Sequence, residues 1–156
     1  MDTATRVRTA YFSKLADKYH PTYGFGMLTF DGVDIPIFDE FVNPNAVLPK
    51  MSGANEVYIV LQDQQEFDNA IQTVCNYRLI SNMTVRVITK WSLTGSKKLC
   101  EDIANEIDNR LRQRRDTSKL TDITKIELEL SRSISEQTQS NTAFNKIMIY
   151  RNYINK

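Results

Sequence analysis

Thr94-Gly95-Ser96-Lys97 lies between a β-like run and a helical run, the place where a phosphate-binding loop would sit. Such a loop presents backbone N–H groups at a helix N-terminus, and its pattern needs a first glycine separated by four intervening residues from an adjacent Gly-Lys pair. Here Ser96 separates Gly95 from Lys97, and no earlier glycine stands in the segment. Gly24-Phe25-Gly26 lacks the third glycine and the following helix of a dinucleotide fingerprint. His20 is the single histidine, so a Ser-His-Asp arrangement would depend on a residue next to Pro21, with no G-x-S-x-G elbow to accompany it. Cys75 and Cys100 are far apart and form no C-x-x-C pair. Zinc would need more such ligands close together, so both are expected to be buried thiols. Asp39-Glu40 and Glu101-Asp102 are adjacent carboxylates whose side chains diverge along a strand or helix, which suits solvated charge better than acid-base catalysis. The expectation is a protein that is not an enzyme, with no catalytic residue, cofactor or metal.

One concentration of charge remains. Arg110, Arg112, Arg114 and Arg115 crowd the C-terminal end of a helical segment whose acids, Glu101, Asp102 and Glu106, come earlier. That asymmetry complements the helix dipole. The same cluster could also face DNA phosphates, or acids on a neighbouring subunit. The whole chain does not resemble a free nucleic-acid binder, because 20 basic and 19 acidic side chains nearly cancel. No apolar run approaches the roughly 20 residues that span a bilayer, and the first residues, MDTATRVRTAYF, lack a signal peptide's apolar core. The expected setting is a cytoplasm.

The elements that position these groups follow from periodicity. At 156 residues, the chain suits one domain, residues 1–156. Val7, Tyr11, Leu15 and Tyr19 recur at i+4 and predict a helix over Thr5–Tyr19, stopped by Pro21 and with His20 at its C-terminal end. Phe25–Phe30 and Val33–Phe38 flank Asp31-Gly32, the signature of a type I′ hairpin. Pro36 places the second of these strands at an edge or rim. Phe41–Asn55, with Pro44, Pro49 and Gly53, reads as a long loop suited to contact with a partner. Glu56–Gln62 predicts a central strand. Gln64–Leu79 fits either a loop followed by a strand from Thr73 or a short helix around Phe67, Ile71 and Val74, and the β-friendly run after Tyr77 favours the strand. Met83, Val85, Val87, Thr89 and Trp91 share one face of the next strand. Ser96 or Thr94 then caps a helix with the stripe Leu99, Ile103, Ile107, Leu111. Ile123–Ile134 predicts a strand with Ile126, Leu128 and Leu130 inward, Ser135–Thr142 a polar loop, and Phe144–Ile154 the last strand. The fold class expected is α+β, two main helices on one face of a mostly antiparallel sheet.

In this order, the chain resembles bacteriophage tail-terminator (tail-completion) proteins. The matching features are the N-terminal helix, Gly32-Val33-Asp34-Ile35-Pro36-Ile37-Phe38-Asp39, and Val57-Tyr58-Ile59-Val60. Val85-Arg86-Val87-Ile88-Thr89-Lys90-Trp91-Ser92, the helix from Lys97, and a closing strand with Tyr150-Arg151 complete the match. It covers nearly the whole chain, though each motif alone is degenerate. The long segments Asn43–Asn55 and Gln64–Asn82 depart from the compact pattern, so a terminator and another neck ring both stay open. The composition suits a phage of an AT-rich host, crAss-like phages included. The resemblance implies a virion protein assembled in the host cytoplasm. It would form a hexameric or dodecameric ring between portal or neck and tail, contacting other neck, portal or tail proteins and, non-specifically, DNA in the lumen. Under it, Asp31, Gly32, Phe41, Asn43, Asn45 and Leu48 are the candidate contacts, and Arg110, Arg112, Arg114 and Arg115 the candidate lumen surface. The alternative is a small non-viral adaptor domain that binds a cellular protein.

Overall fold

The computed structural model describes residues 3–69, 78–92, 94–113 and 123–155. In chain order the elements are α1 (Thr3–Leu15), β1 (Lys18–Tyr19), β2 (Gly26–Phe30), β3 (Val33–Asp39), β4 (Glu56–Asn69) and β5 (Arg78–Ser92). There follow α2 (Lys97–Asp108), prolonged by a π-helical turn over Asn109–Gln113, then β6 (Ile123–Gln137) and β7 (Asn141–Asn155). The strands form one seven-stranded sheet in the order β1-β2-β3-β4-β5-β7-β6. Only β3 and β4 run parallel; every other neighbouring pair is antiparallel. The protein is thus α+β with a mostly antiparallel sheet and two helices.

Both helices cover the same sheet face. Val7, Tyr11 and Leu15 of α1 and Leu99, Ile103, Ile107 and Leu111 of the α2 segment join one buried cluster with Ile35, Ile59, Met83, Val85, Met148 and Tyr150. Each fully buried aliphatic side chain there contributes about 1.5–3 kcal/mol. The alternation of β5 sends Met83, Val85, Val87, Thr89 and Trp91 to this face, all buried. β4 is buried on both faces, because Tyr58 and Val60 turn away to a second cluster with Phe38 and Ile88. Its place between β3 and β5 accounts for that.

Several expectations are corrected. The first helix ends at Leu15, not Tyr19, because Asp17 leaves it to donate its N–H to the Met27 carbonyl at 2.8 Å, and Lys18–Tyr19 pairs with β2. Tyr19, expected on the apolar face, is 58% exposed. His20 therefore caps no helix; its Nδ1 accepts from the backbone N–H of Thr22 and Tyr23, both at 3.1 Å, closing the turn before β2. β3 is internal despite Pro36. Pro36 faces Met27 at a non-hydrogen-bonded position of the β2 ladder, and pairing with β4 begins only at Ile37, so no ladder bond is lost. Gln64–Asn69 continues β4 beyond an irregularity at Asp63 rather than forming a loop. The expected loop Ser135–Thr142 shrinks to the short turn between Gln137 and Asn141. Leu130 is turned outward, 45% exposed, because a bulge at Glu129 shifts the register so that Leu130 opposes Ile149. The strand expected from Thr73 and the thiol of Cys75 lie outside the described residues, apart from Arg78 and Leu79 at the start of β5.

Candidate functional site

Asp31 and Gly32 form the tip of the β2–β3 hairpin at φ 47° and 77°, the left-handed pair that a type I′ turn requires. Both are exposed. The loop from Glu40 to Asn55 is the other projecting feature, and its base is fixed by a residue far away in sequence. Arg8 on α1 pairs with Asp39 and, at 2.7 Å, with Glu40. It also donates to the carbonyls of Leu61 and Gln62 at 3.1 and 3.2 Å. The adjacent carboxylates are thus anchors for one guanidinium. Glu40 is held at φ 65°, a left-handed conformation unusual for its type, and this turns the chain outward at Phe41.

The loop has an inner and an outer side. Ala46 and Leu48 pack on the far sheet face against the cluster of Phe38, Tyr58, Val60 and Ile88. The Asn43 side chain accepts from the Asn45 N–H at 2.9 Å, and the Asn43 carbonyl from Ala46 at 3.0 Å, making a local turn. Leu48 and Asn43 therefore hold the loop in place, while Asn45 is exposed. Phe41 and Val47 face solvent at 84% and 93% exposure. Val47 was not picked out from the sequence, because a single apolar residue in a loop gives no periodic signal. Phe41 and Val42 also border a shallow hollow of about 360 Å³ floored by Tyr58, Arg86 and Ile88. There the Arg86 guanidinium donates to neutral amide oxygens, of Gln62 and Asn145, both at 3.1 Å. Replacing Arg8 with Ala should cost about 1.5–3 kcal/mol, the scale of hydrogen bonds to charged groups. It should also speed proteolytic cleavage between residues 40 and 55, checked by urea unfolding and timed limited proteolysis.

The arginine-rich helix end is less open than its sequence suggests. Arg110 pairs with Asp17 and Glu106, both at 3.0 Å, and donates to the Leu15 carbonyl at 3.1 Å. Burial works against its charge, but Asp17 and Glu106 hold its pKa above the ordinary value. It ties α2 to α1. Arg112 grips both oxygens of Asp108 at 2.7 and 2.8 Å, and remains one-third exposed. Arg114 and Arg115 lie outside the described residues.

Gly95 has a packing role. A Cβ built there would stand 2.2 Å from Trp91 Cγ, and one on Gly53 3.1 Å from the same indole. Gly95 is where backbone meets a tryptophan face. Ser96 caps α2 by accepting from the Lys98 N–H at 3.2 Å. Glu101 and Asp102 are engaged in ion pairs with Lys146, at 3.0 Å, and Lys98, at 2.7 Å. Cys100 is buried, with Sγ 3.4 Å from the Val87 carbonyl. Burial first, and then the Glu101 carboxylate, push its thiol up to about 12. Peptide mapping after iodoacetamide treatment at pH 8 should find Cys100 unmodified in the folded protein and modified once it is denatured.

Among the described residues no group of three His, Cys, Asp or Glu side chains could hold a metal, and no helix is long and apolar enough to cross a membrane. No protein-family model matches the chain, and no curated protein matches it.

Proposed function

We propose that this chain is a structural virion protein that closes into a ring in a phage neck or tail, ending the tail or joining it to the head. The observation that carries the reading is the loop from Glu40 to Asn55, clamped at its base by Arg8 yet presenting Phe41 and Val47 almost wholly to solvent. Apolar side chains held outward on a fixed loop suit burial against another protein. A rigid base lowers the entropy lost on docking. The order of helix, hairpin, central strands, second helix and closing strands supports the tail-terminator resemblance in particular. A cyclic ring needs a heterologous interface, in which two different surfaces of the subunit meet. The hairpin tip at Asp31-Gly32 and the outer side of the loop, beyond opposite ends of β3, are the contact elements of this reading. The lumen role is narrower than the arginine count implies, since Arg110 and Arg112 are matched by Asp17, Glu106 and Asp108.

The test is the mass in solution of the wild-type chain and of a Phe41→Asp/Val47→Asp variant, by light scattering. A large multiple of the 18.0 kDa chain is expected for the wild type, and its loss in a variant with unchanged circular dichroism. A wild-type chain that stays monomeric at high concentration and binds no neck or tail protein would overturn the reading.

A further inference from the structure

The two edges of the sheet are unlike. At one edge β1 is two residues long and stops short of Pro21, and the exposed side of β2 beyond it is already occupied. Asp17 donates its N–H to the Met27 carbonyl at 2.8 Å, its carboxylate accepts from the Thr29 N–H at 2.8 Å, and Arg110 reaches the Thr29 carbonyl at 3.5 Å. No further strand can be added there without displacing these groups. At the other edge stands β6, 15 residues long, which among the described residues pairs with β7 alone. Its first half is broken by irregularities at Thr124 and Glu129, but Leu130 to Gln137 pairs with β7 without interruption. A regular edge of this length offers a row of unmatched backbone donors and acceptors.

The alternation along β6 identifies which groups those are. The Thr138 N–H bonds the Asn141 carbonyl at 2.8 Å, closing the β6–β7 turn. Counting back by twos, Glu136, Ile134 and Arg132 direct their backbone groups at β7, while Gln137, Ser135, Ser133 and Ser131 direct theirs outward. Arg132, Ile134 and Glu136 lie on the sheet face away from the helices, opposite Ile147, Asn145 and Ala143. The other charged side chains described on this strand are engaged, Lys125 with Glu127 and Glu129 with Arg151. Among the described residues Arg132 and Glu136 have no ion-pair partner; both are exposed, and Ile134 between them is half-buried.

We propose that β6 is a self-pairing edge: two copies of this chain join β6 to β6 antiparallel about a two-fold axis through Ile134. In that register Ile134 meets Ile134 of the second copy, Arg132 meets Glu136, and Glu136 meets Arg132. All three are non-hydrogen-bonded positions, where facing side chains come closest. Ser133 and Ser135 exchange the backbone hydrogen bonds, as do Ser131 and Gln137. The occupant is a second copy because the sequence Arg-Ser-Ile-Ser-Glu is complementary to itself when reversed, and because the blocked β2 edge rules out head-to-tail continuation of the sheet. A two-fold contact alone gives a dimer. On a subunit that also forms rings, it joins two rings face to face with an even number of chains. This surface lies at the sheet edge opposite the hairpin, so it stands independently of the ring reading.

The test is sedimentation equilibrium of the full chain carrying Phe41→Asp and Val47→Asp, which isolates the β6 contact. A mass twice that of the 18.0 kDa chain is expected. Adding Arg132→Glu, or adding Glu136→Arg, sets like charges opposite each other twice per dimer and should weaken association by about tenfold or more. Both changes in one chain should restore the dimer, as should mixing the two singly changed chains, where only the mixed pair is complementary. Rescue by mixing is a result that a folding defect would not produce. A monomer before the charge changes, or association indifferent to them, would overturn the proposal. Wild-type rings that persist through the charge changes with an odd number of chains would overturn it and leave the ring reading intact. A dimer that responds as described, from a wild-type chain that forms no ring, would uphold it and sink the ring reading.

Discussion

Trp91→Ala should lower the unfolding free energy by about 3–5 kcal/mol, the range for deleting a large buried aromatic. Trp91 is 8% exposed at the end of β5, and its ring fills the space between the turn at Gly53 and the loop at Gly95. Its Nε1 donates to the Thr89 hydroxyl at 3.3 Å, so the truncation also costs that bond. Gly95→Ala attacks the same contact from the other side, by overpacking, and should cost about 1–3 kcal/mol. The two losses should not add, since an alanine at 95 has no indole to strike once Trp91 is gone. Urea unfolding of the two single variants and the double variant measures this coupling. Additive losses would mean that Gly95 does not owe its identity to Trp91. A nucleotide role for Gly95 would instead appear as binding lost at unchanged stability.

The second large effect is expected at Asn152. This side chain is fully buried. Its Oδ1 accepts from the Tyr11 hydroxyl at 2.5 Å, and its Nδ2 donates to the Ser81 carbonyl at 2.9 Å. Burial keeps the Tyr11 phenol protonated far above its ordinary range, so it stands as a donor that needs this acceptor. Asn152→Leu leaves both Tyr11 and Ser81 without their partner, each an unmatched buried group costing about 1–3 kcal/mol. A total of about 2–5 kcal/mol is expected. Tyr11→Phe alone should cost less, and in the double variant part of the loss should return, because the orphaned hydroxyl is gone. Thermal and urea unfolding of the cycle checks it, and an Asn152→Leu protein as stable as wild type would contradict it.

What the sequence revealed of this fold was its apolar alternation. Val57, Ile59 and Leu61 on one side with Tyr58 and Val60 on the other placed β4 at the centre. Leu99, Ile103, Ile107 and Leu111 defined the helix that covers it. Asp31-Gly32 fixed its hairpin because two successive left-handed residues are a local demand. Polar strand ends such as Gln64–Asn69 and Ser135–Gln137 were illegible, since backbone pairing with β5 and β7 holds them and leaves no pattern in their side chains. One bulge at Glu129 was enough to reverse the face of Leu130. At the candidate site, the projecting loop could be read from its prolines, asparagines and length, but not its clamp. Arg8 and Asp39 are 31 residues apart, and nothing local links them. The pairing of Arg110 was illegible for the same reason: the carboxylate that neutralises it from outside its own helix is Asp17, brought in by tertiary folding.

The central claim is that this chain closes into a ring, and electron microscopy of the purified wild-type protein tests it most directly. Closed annular particles with a countable, constant number of subunits are predicted, and they should disappear in the Phe41→Asp/Val47→Asp variant. Single globular particles of one chain at every concentration, or open filaments without closure, would contradict it.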